Sequence, residues 1–163
     1  MPERWVVNAS PIILLSKIEY HHLLIRLSDQ IVVPEAVAEE IRNGPAGDPA
    51  RRFLDSRGFH VVAEPPEPDI LAWDLGAGET AVLSYARTNP GWRVVIDDGM
   101  ARRCARSFSI PVIGTPGVII RARRAGLIEA AVPVLKALLA YDYRIDEEVI
   151  RLALQNTVGE IWD

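Results

Sequence analysis

Short β-prone runs alternate with helix-like segments along most of the chain, and that alternation limits the fold more than any other feature. The runs are Trp5–Val7, Ile31–Val33, Phe59–Ala63, Arg93–Ile96 and Ile110–Ile113. Between them lie a helix beginning at Pro11, a helix from Pro34 through about Arg42, a short helix over 50–57 ending at Gly58, a helix over Glu79–Ala86, and one containing Ala101, Arg102 and Ala105. Strands that alternate with helices pair side by side through right-handed crossovers. The expected architecture is therefore an α/β domain with a five-stranded, mainly parallel sheet. From Pro116 onward the chain reads as three helices broken near Gly126, Pro133 and Tyr143. The expected organisation is one domain over 1–163, with an α/β core over 1–115 and a C-terminal helical segment over 116–163.

Composition narrows the function classes. A chain of 163 residues that is 49% hydrophobic and 25% charged can bury a sizeable core. The single cysteine, Cys104, excludes an internal disulfide framework and a cysteine-based zinc site, and it reads as a buried small hydrophobe. The three histidines, with His21 and His22 adjacent, show no zinc spacing; that pair reads as surface or strand-approach residues. The net charge of −4 argues against a broadly basic nucleic-acid coat but leaves room for a local patch. The most apolar stretch, 126–141, is interrupted by Glu129, Pro133 and Lys136 and is too short to span a bilayer. Glu3 and Arg4 do not suit a secretory signal. A cytoplasmic protein is expected.

Polar residues fall where open parallel sheets place their sites, beyond the carboxyl ends of strands. Asn8-Ala9-Ser10 follows the first run, Asp97-Asp98 the fourth and Thr115 the fifth. Glu40 lies on the helix after the second run, and Glu79 starts a helix after Gly76-Ala77-Gly78. Val37 and Ile41 mark the buried side of the Glu40 helix, and at roughly 100° per residue Glu40 borders that stripe while Glu39 lies nearly opposite. Acids converging from separate elements need a positive partner, usually a hard divalent cation with oxygen ligands. Such a cation can activate water and neutralise charge developing on a phosphodiester. The glycine pair does not directly follow a strand and lacks a third glycine, so it is a weak match to a dinucleotide loop.

At these residues the chain resembles a known family. The blocks are 6–15 (Val-Val-Asn-Ala-Ser-Pro-Ile-Ile-Leu-Leu), 33–41 (Val-Pro-Glu-Ala-Val-Ala-Glu-Glu-Ile) and 75–82 (Leu-Gly-Ala-Gly-Glu-Thr-Ala-Val), followed by 95–102 (Val-Ile-Asp-Asp-Gly-Met-Ala-Arg) and 112–118 (Val-Ile-Gly-Thr-Pro-Gly-Val). In this order they resemble PIN-domain proteins of the DUF3368 group, which are similar to VapC-type ribonucleases; the tail around Tyr143-Arg144-Ile145 is also similar to the family's helical end. The resemblance implies a three-layer α/β/α sandwich, an acidic site binding Mg2+ or Mn2+, and RNA cleavage. Carried over by position, Glu40, Glu79 and one or both of Asp97 and Asp98 are the catalytic acids and metal ligands. Asn8 stands where the family usually has an aspartate. Its amide oxygen can ligate a hard cation but brings no charge. Ser10 and Thr115 match supporting polar positions.

Structural roles compete with these. Glu79 also suits a helix dipole. One of Asp97 and Asp98 is expected to cap a helix while the other faces the site. Asn8 serves equally as a cap or strand-end turn residue, and Ser10 is expected to be an N-cap rather than a catalytic group. Arg102, Arg103 and Arg106 are candidate phosphate contacts, as are Arg121, Arg123 and Arg124, although a solvated helix face accounts for at least half of them. Val132, Leu135, Leu138 and Leu139 read as core, with any exposed part open to a homodimer or an antitoxin. Two functions follow. The first is a metal-dependent ribonuclease, the toxin of a toxin–antitoxin pair. The second is a catalytically weakened module that acts by binding RNA or protein. A receiver-like phosphorylation domain is excluded, because the acid pair follows the fourth strand and no lysine follows the fifth.

Overall fold

A computed structural model describes residues 2–56 and 59–163. Five strands, β1 (Arg4–Val7), β2 (Gln30–Pro34), β3 (His60–Val62), β4 (Arg93–Val95) and β5 (Val112–Ile113), form one parallel sheet in the order β3-β2-β1-β4-β5. Helices cover both faces, giving the three-layer α/β/α architecture. β1 sits at the centre, with Trp5 opposite Ile31 and Arg93, and Val6 opposite Val32 and Val94. Trp5, Val6 and Val7 are fully buried. A strand covered on both faces must be apolar at every position rather than alternately, which is why this run is unbroken. β3 is an edge and exposes His60 and Val61. Strand order reverses at the boundary between β1 and β4, the switch point at whose carboxyl ends open α/β sheets place their sites.

The helices differ from expectation mainly at their boundaries. The first helix, α1 (Ala9–Lys17), begins two residues before Pro11. Proline is tolerated there because first-turn N–H groups have no intrahelical acceptor to lose. α2 (His22–Leu27) was not foreseen: His22 opens a helix and is not a strand-approach residue, while His21 packs edge-on against Phe53. Leu23 and Leu24 anchor this helix in the core, but six residues are too few to display a helical period. α3 (Glu35–Arg42) and α4 (Ala50–Leu54) follow β2. The expected end of the α4 helix at Gly58 lies outside the described residues. Part of the expected stiff connector, at Pro68, instead begins a short helix, α5 (Pro68–Leu71).

α6 (Ala77–Thr88) packs across β1, β2 and β4 and against α3. α7 (Gly99–Ser107) joins β4 to β5, with Cys104 fully buried. The C-terminal segment contains α8 (Thr115–Arg124), α9 (Val132–Leu138), a 3-10 turn at Leu139–Tyr141, and α10 (Glu147–Thr157). Gly126 adopts φ +76°, which favours glycine. Pro133 lies in the first turn of α9. The break near Tyr143 is made by Asp142 in the left-handed region. Leu135 and Leu138 are fully buried and Val132 partly so, whereas Leu139 is exposed. α10 packs on α8, and its Ile150 and Leu154 are buried. Among the described residues, no helix is long and apolar enough to cross a membrane.

Candidate active site

The site forms where the strand order reverses. Asn8 leaves the end of β1, and its backbone N–H donates to the Val95 carbonyl of β4 at 3.0 Å. This bond fixes the spacing between the two strand ends that carry Asn8 and Asp97. α3 brings Glu40 from one side, and the first turn of α6 brings Glu79.

Asn8, Glu40 and Glu79 form one half of the site. Asn8 is only 3% exposed. Although it occupies the N-cap position of α1, its side chain makes no capping bond. Its Nδ2 donates to Glu79 Oε1 at 3.4 Å, the orientation required beside a carboxylate, which only accepts. Asn8 Oδ1 is consequently buried without a donor. A Cβ added at Gly78 would lie 2.9 Å from that oxygen and 3.9 Å from Glu40 Oε2, and one at Gly76 would lie 2.6 Å from Glu79 Oε2. The two glycines therefore leave room for the polar groups of this cluster. Glu40 is more exposed than its place beside the α3 apolar stripe implies. Even so, desolvation, and secondarily the charge of Glu79, raise its carboxyl above the ordinary carboxylate range.

Asp97 forms the other half. Its Oδ1 accepts from the Thr115 backbone N–H at 2.8 Å and from the Tyr143 hydroxyl at 3.0 Å. Its Oδ2 accepts from Thr115 Oγ1 at 2.6 Å and Ser10 Oγ at 3.3 Å. These four donors fix the carboxylate plane. The longest of the contacts comes from Ser10, on the helix that follows Asn8. Ser10 is thus not an N-cap; it sits inside α1 and turns its hydroxyl to Asp97. Thr115 is fully buried.

Among the described residues, no three His, Cys, Asp or Glu side chains come together to hold a metal ion by themselves. A cation held at these strand ends would draw on the Asn8 amide oxygen as well as the carboxylates. The donor set fits a hard divalent cation, because it consists of oxygens and includes one buried oxygen with no other partner.

The family model DUF3368, described as a PIN domain, matches residues 4–159. The chain belongs to the DUF3368 family of PIN domains. Solved structures agree in fold. The PIN domain endonuclease Utp24 is 11% identical with a TM-score of 0.52, over 69% of this chain and 85% of that one. A PilT N-terminus domain protein from the hyperthermophilic archaeon Sulfolobus solfataricus P2 is 20% identical with a TM-score of 0.51, over 71% and 89%. PAE2754 from Pyrobaculum aerophilum is 17% identical with a TM-score of 0.52, over 74% and 97%. No curated protein gives a sequence match. PIN domains have a nuclease fold and generally use divalent metal ions.

Within this PIN domain the structure separates the paired aspartates. Asp98 is exposed and caps α7, accepting from Ala101 N–H at 2.9 Å, while Asp97 carries the contacts with Ser10, Thr115 and Tyr143. Asp98 is thus the member of the pair that caps a helix, as expected of one of the two. Arg102 comes close to Gly114 beside Asp97, whereas Arg103 and Arg106 are exposed on α7. Arg121 pairs with Glu3 and Arg123 with Glu160, which gives both a structural partner. Tyr143 was missed as a site residue. Burial, and next the charge of Asp97, push its hydroxyl above the ordinary tyrosine range, so it serves as a neutral donor. The only sequence signal for it was the family-like tail around Tyr143-Arg144-Ile145, which carried no chemistry of its own.

Proposed function

We propose that this PIN domain is a metal-dependent ribonuclease that hydrolyses RNA phosphodiester bonds with Mg2+ or Mn2+ held by Asn8, Glu40, Glu79 and Asp97. The observation that carries this reading is the buried Asn8 Oδ1, left without a donor between Glu79 and the Gly78 backbone. An unpartnered buried oxygen costs about 1–3 kcal/mol unless something binds it, and a hard cation suits it. When bound, the cation activates water and neutralises charge developing on the phosphate. The chain's own residues supply the arrangement. Ser10, Thr115 and Tyr143 hold Asp97 in one orientation, Asn8 steers Glu79 through its Nδ2, and Gly76 and Gly78 give these groups room.

The toxin role in a toxin–antitoxin pair rests on the resemblance to VapC-type ribonucleases. The antitoxin and the second copy of the chain that such a role allows rest on the same resemblance. The decisive experiment is Mn2+- and Mg2+-dependent cleavage of mixed single-stranded RNA by the native chain and by Glu79→Gln. Cleavage by the native protein should fall by roughly 100-fold or more in the variant. Equal cleavage by both folded proteins would overturn the reading.

A second reading is favoured by the Asn8 amide itself. It replaces a formal negative charge with a neutral group that already donates to Glu79. In that reading the domain binds RNA or a protein partner and cleaves weakly or not at all. A native chain inert with either metal, together with a strongly active Asn8→Asp variant, would select it.

A further inference from the structure

A cavity of about 470 Å3 opens beside Asp97, between the β5 end of the sheet and the C-terminal segment. Two arginines line it. Arg102 reaches it from α7, and its guanidinium lies where a Cβ on Gly114 would come within 3.2 Å. Its Nε is buried and has no acceptor. Arg144 lines the cavity from the stretch between the 3-10 turn and α10. Neither arginine forms an ion pair with a carboxylate among the described residues. The cavity's two acids form an ion pair with neither arginine: Asp97, whose Oδ1 would lie 3.1 Å from the same Cβ on Gly114, accepts from Ser10, Thr115 and Tyr143, and Asp146 caps α10 by accepting from Val149 N–H at 3.2 Å. The remaining wall is largely apolar. It includes Ile120 and, at the lip, Val149, which is 63% exposed although it is a large aliphatic side chain.

Two uncommitted guanidinium groups beside an apolar wall match a group with an anionic end and a flat apolar body. We infer that this cavity is a nucleotide subsite that takes one residue of single-stranded RNA next to the bond at the acidic site. The phosphate lies on the forks of Arg102 and Arg144, and the base lies against Ile120 and Val149. Arginine suits the first role because its planar fork matches phosphate oxygens. An apolar wall suits the second because every base has a face to lay on it. The inference rests on the ribonuclease reading for the identity of the polymer, and it goes further by stating where a neighbouring nucleotide sits.

The test uses the full chain in EDTA, so that nothing is cut, with a fluorescein-labelled single-stranded RNA of mixed sequence read by anisotropy across a salt series. Arg144→Ala and Arg102→Lys should each weaken binding by about three- to tenfold. Arg144→Ala should also reduce the salt slope by roughly one contact. Arg102→Lys keeps the charge and loses only the fork, so its slope should hold. Val149→Asp, at an exposed position, should weaken binding without altering the fold. Arg52→Ala, an equal change of charge at an exposed position on α4, should do nothing. A nucleoside monophosphate should compete better than inorganic phosphate. If Arg52→Ala weakens binding as much as Arg144→Ala, the binding is diffuse and the subsite is overturned. It is also overturned if the arginine variants bind like the native chain, or if the native chain binds no RNA at all. Metal-dependent cleavage measured in parallel separates the two readings. Cleavage that depends on Glu79, with binding indifferent to Arg102 and Arg144, sinks the subsite alone. Binding that depends on both arginines in a chain that cleaves nothing sinks the ribonuclease and leaves the subsite in an RNA-binding module.

Discussion

The two ends of the central strand treat their acids in opposite ways. At the amino end, Glu3 accepts from the Trp5 indole at 2.9 Å and pairs with Arg93 and Arg121, each at 3.4 Å. The Trp5 hydrogen bond first, and then the two arginines, hold its carboxyl below the ordinary range. At the carboxyl end, Glu40, Glu79 and Asp97 have no ion-pair partner among the described residues. Glu40 is pushed the other way, by desolvation and by Glu79. A chain that folds by pairing Glu3 with arginines could pair these acids too. It holds Glu79 and Asp97 instead with neutral donors: the Asn8 amide for Glu79, and the Ser10 and Thr115 hydroxyls, the Tyr143 phenol and the Thr115 backbone N–H for Asp97. Neutral donors orient carboxylates without cancelling their charge, which leaves that charge for a cation that is not part of the chain.

Asn8→Asp should produce the largest change in this contrast. It places a third carboxylate beside Glu79 and Glu40 and removes the Nδ2 donor from Glu79. Without metal the variant should lose about 1–3 kcal/mol of stability, read as a lower melting temperature in EDTA. With Mn2+ it should recover more stability than the native chain does, because its affinity should rise about tenfold or more. Calorimetry with Mn2+ measures that affinity directly. Unchanged affinity would mean that the cation does not use position 8.

Tyr143→Phe should have a smaller effect. It removes one of the four donors to Asp97 and leaves the ring packed. Outer-shell donors of this kind are worth about 10–100-fold in metal affinity, so Mn2+ binding should weaken by roughly tenfold, with about 1 kcal/mol or less of folding stability lost. Tighter Mn2+ binding in the variant would mean that the phenol competes with the cation for Asp97 rather than positioning it.

The fold was legible because its signal is long-range and repetitive. Five apolar runs alternating with helices admit few topologies, and both the parallel sheet and the placement of polar residues at strand ends follow from that. Asn8 and Asp97 stood out as candidates because they follow strands whose order is fixed, whereas Glu79, which a helix dipole would explain as well, became a candidate only through the ordered family resemblance. What was missed depended on short or distant packing. α2 has only six residues, held in place by Leu23 and Leu24. Ser10 looked like a cap because capping is a local preference, while its acceptor, Asp97, is 87 residues away. Tyr143 donates to an Asp97 that lies 46 residues away, and nothing local to Tyr143 signals that contact. The separation of Asp97 from Asp98 was expected in kind, yet which residue capped α7 required the backbone at the start of that helix.

The smallest expected effects give the sharpest test of the contrast, because their signs are opposite. For Glu3 the folded-state pKa lies below its ordinary value of 4.5, so its contribution to stability is present above that value and is lost as pH falls through the folded pKa. Glu3→Gln should therefore be less stable than the native chain at neutral pH, with the gap closing below about pH 4. Because the Glu3 side chain is 37% exposed, the loss should be under about 1 kcal/mol. For Glu40 the folded-state pKa lies above 4.5. Its ionised form then carries a penalty in the folded chain at neutral pH, and that penalty disappears once acid protonates it in both states. Glu40→Gln should consequently match or slightly exceed the native chain in stability at pH 7 without metal, by a few tenths of a kcal/mol, and converge with it in acid. Melting temperatures of the three proteins in EDTA, taken from pH 7 down to pH 3.5, decide the matter. If both substitutions destabilise at neutral pH and both gaps close in acid, Glu40 is another structurally paired acid like Glu3, and the distinction between the two ends of the sheet fails. Opposite signs would show that the fold tolerates charge at the carboxyl end that it neutralises at the amino end.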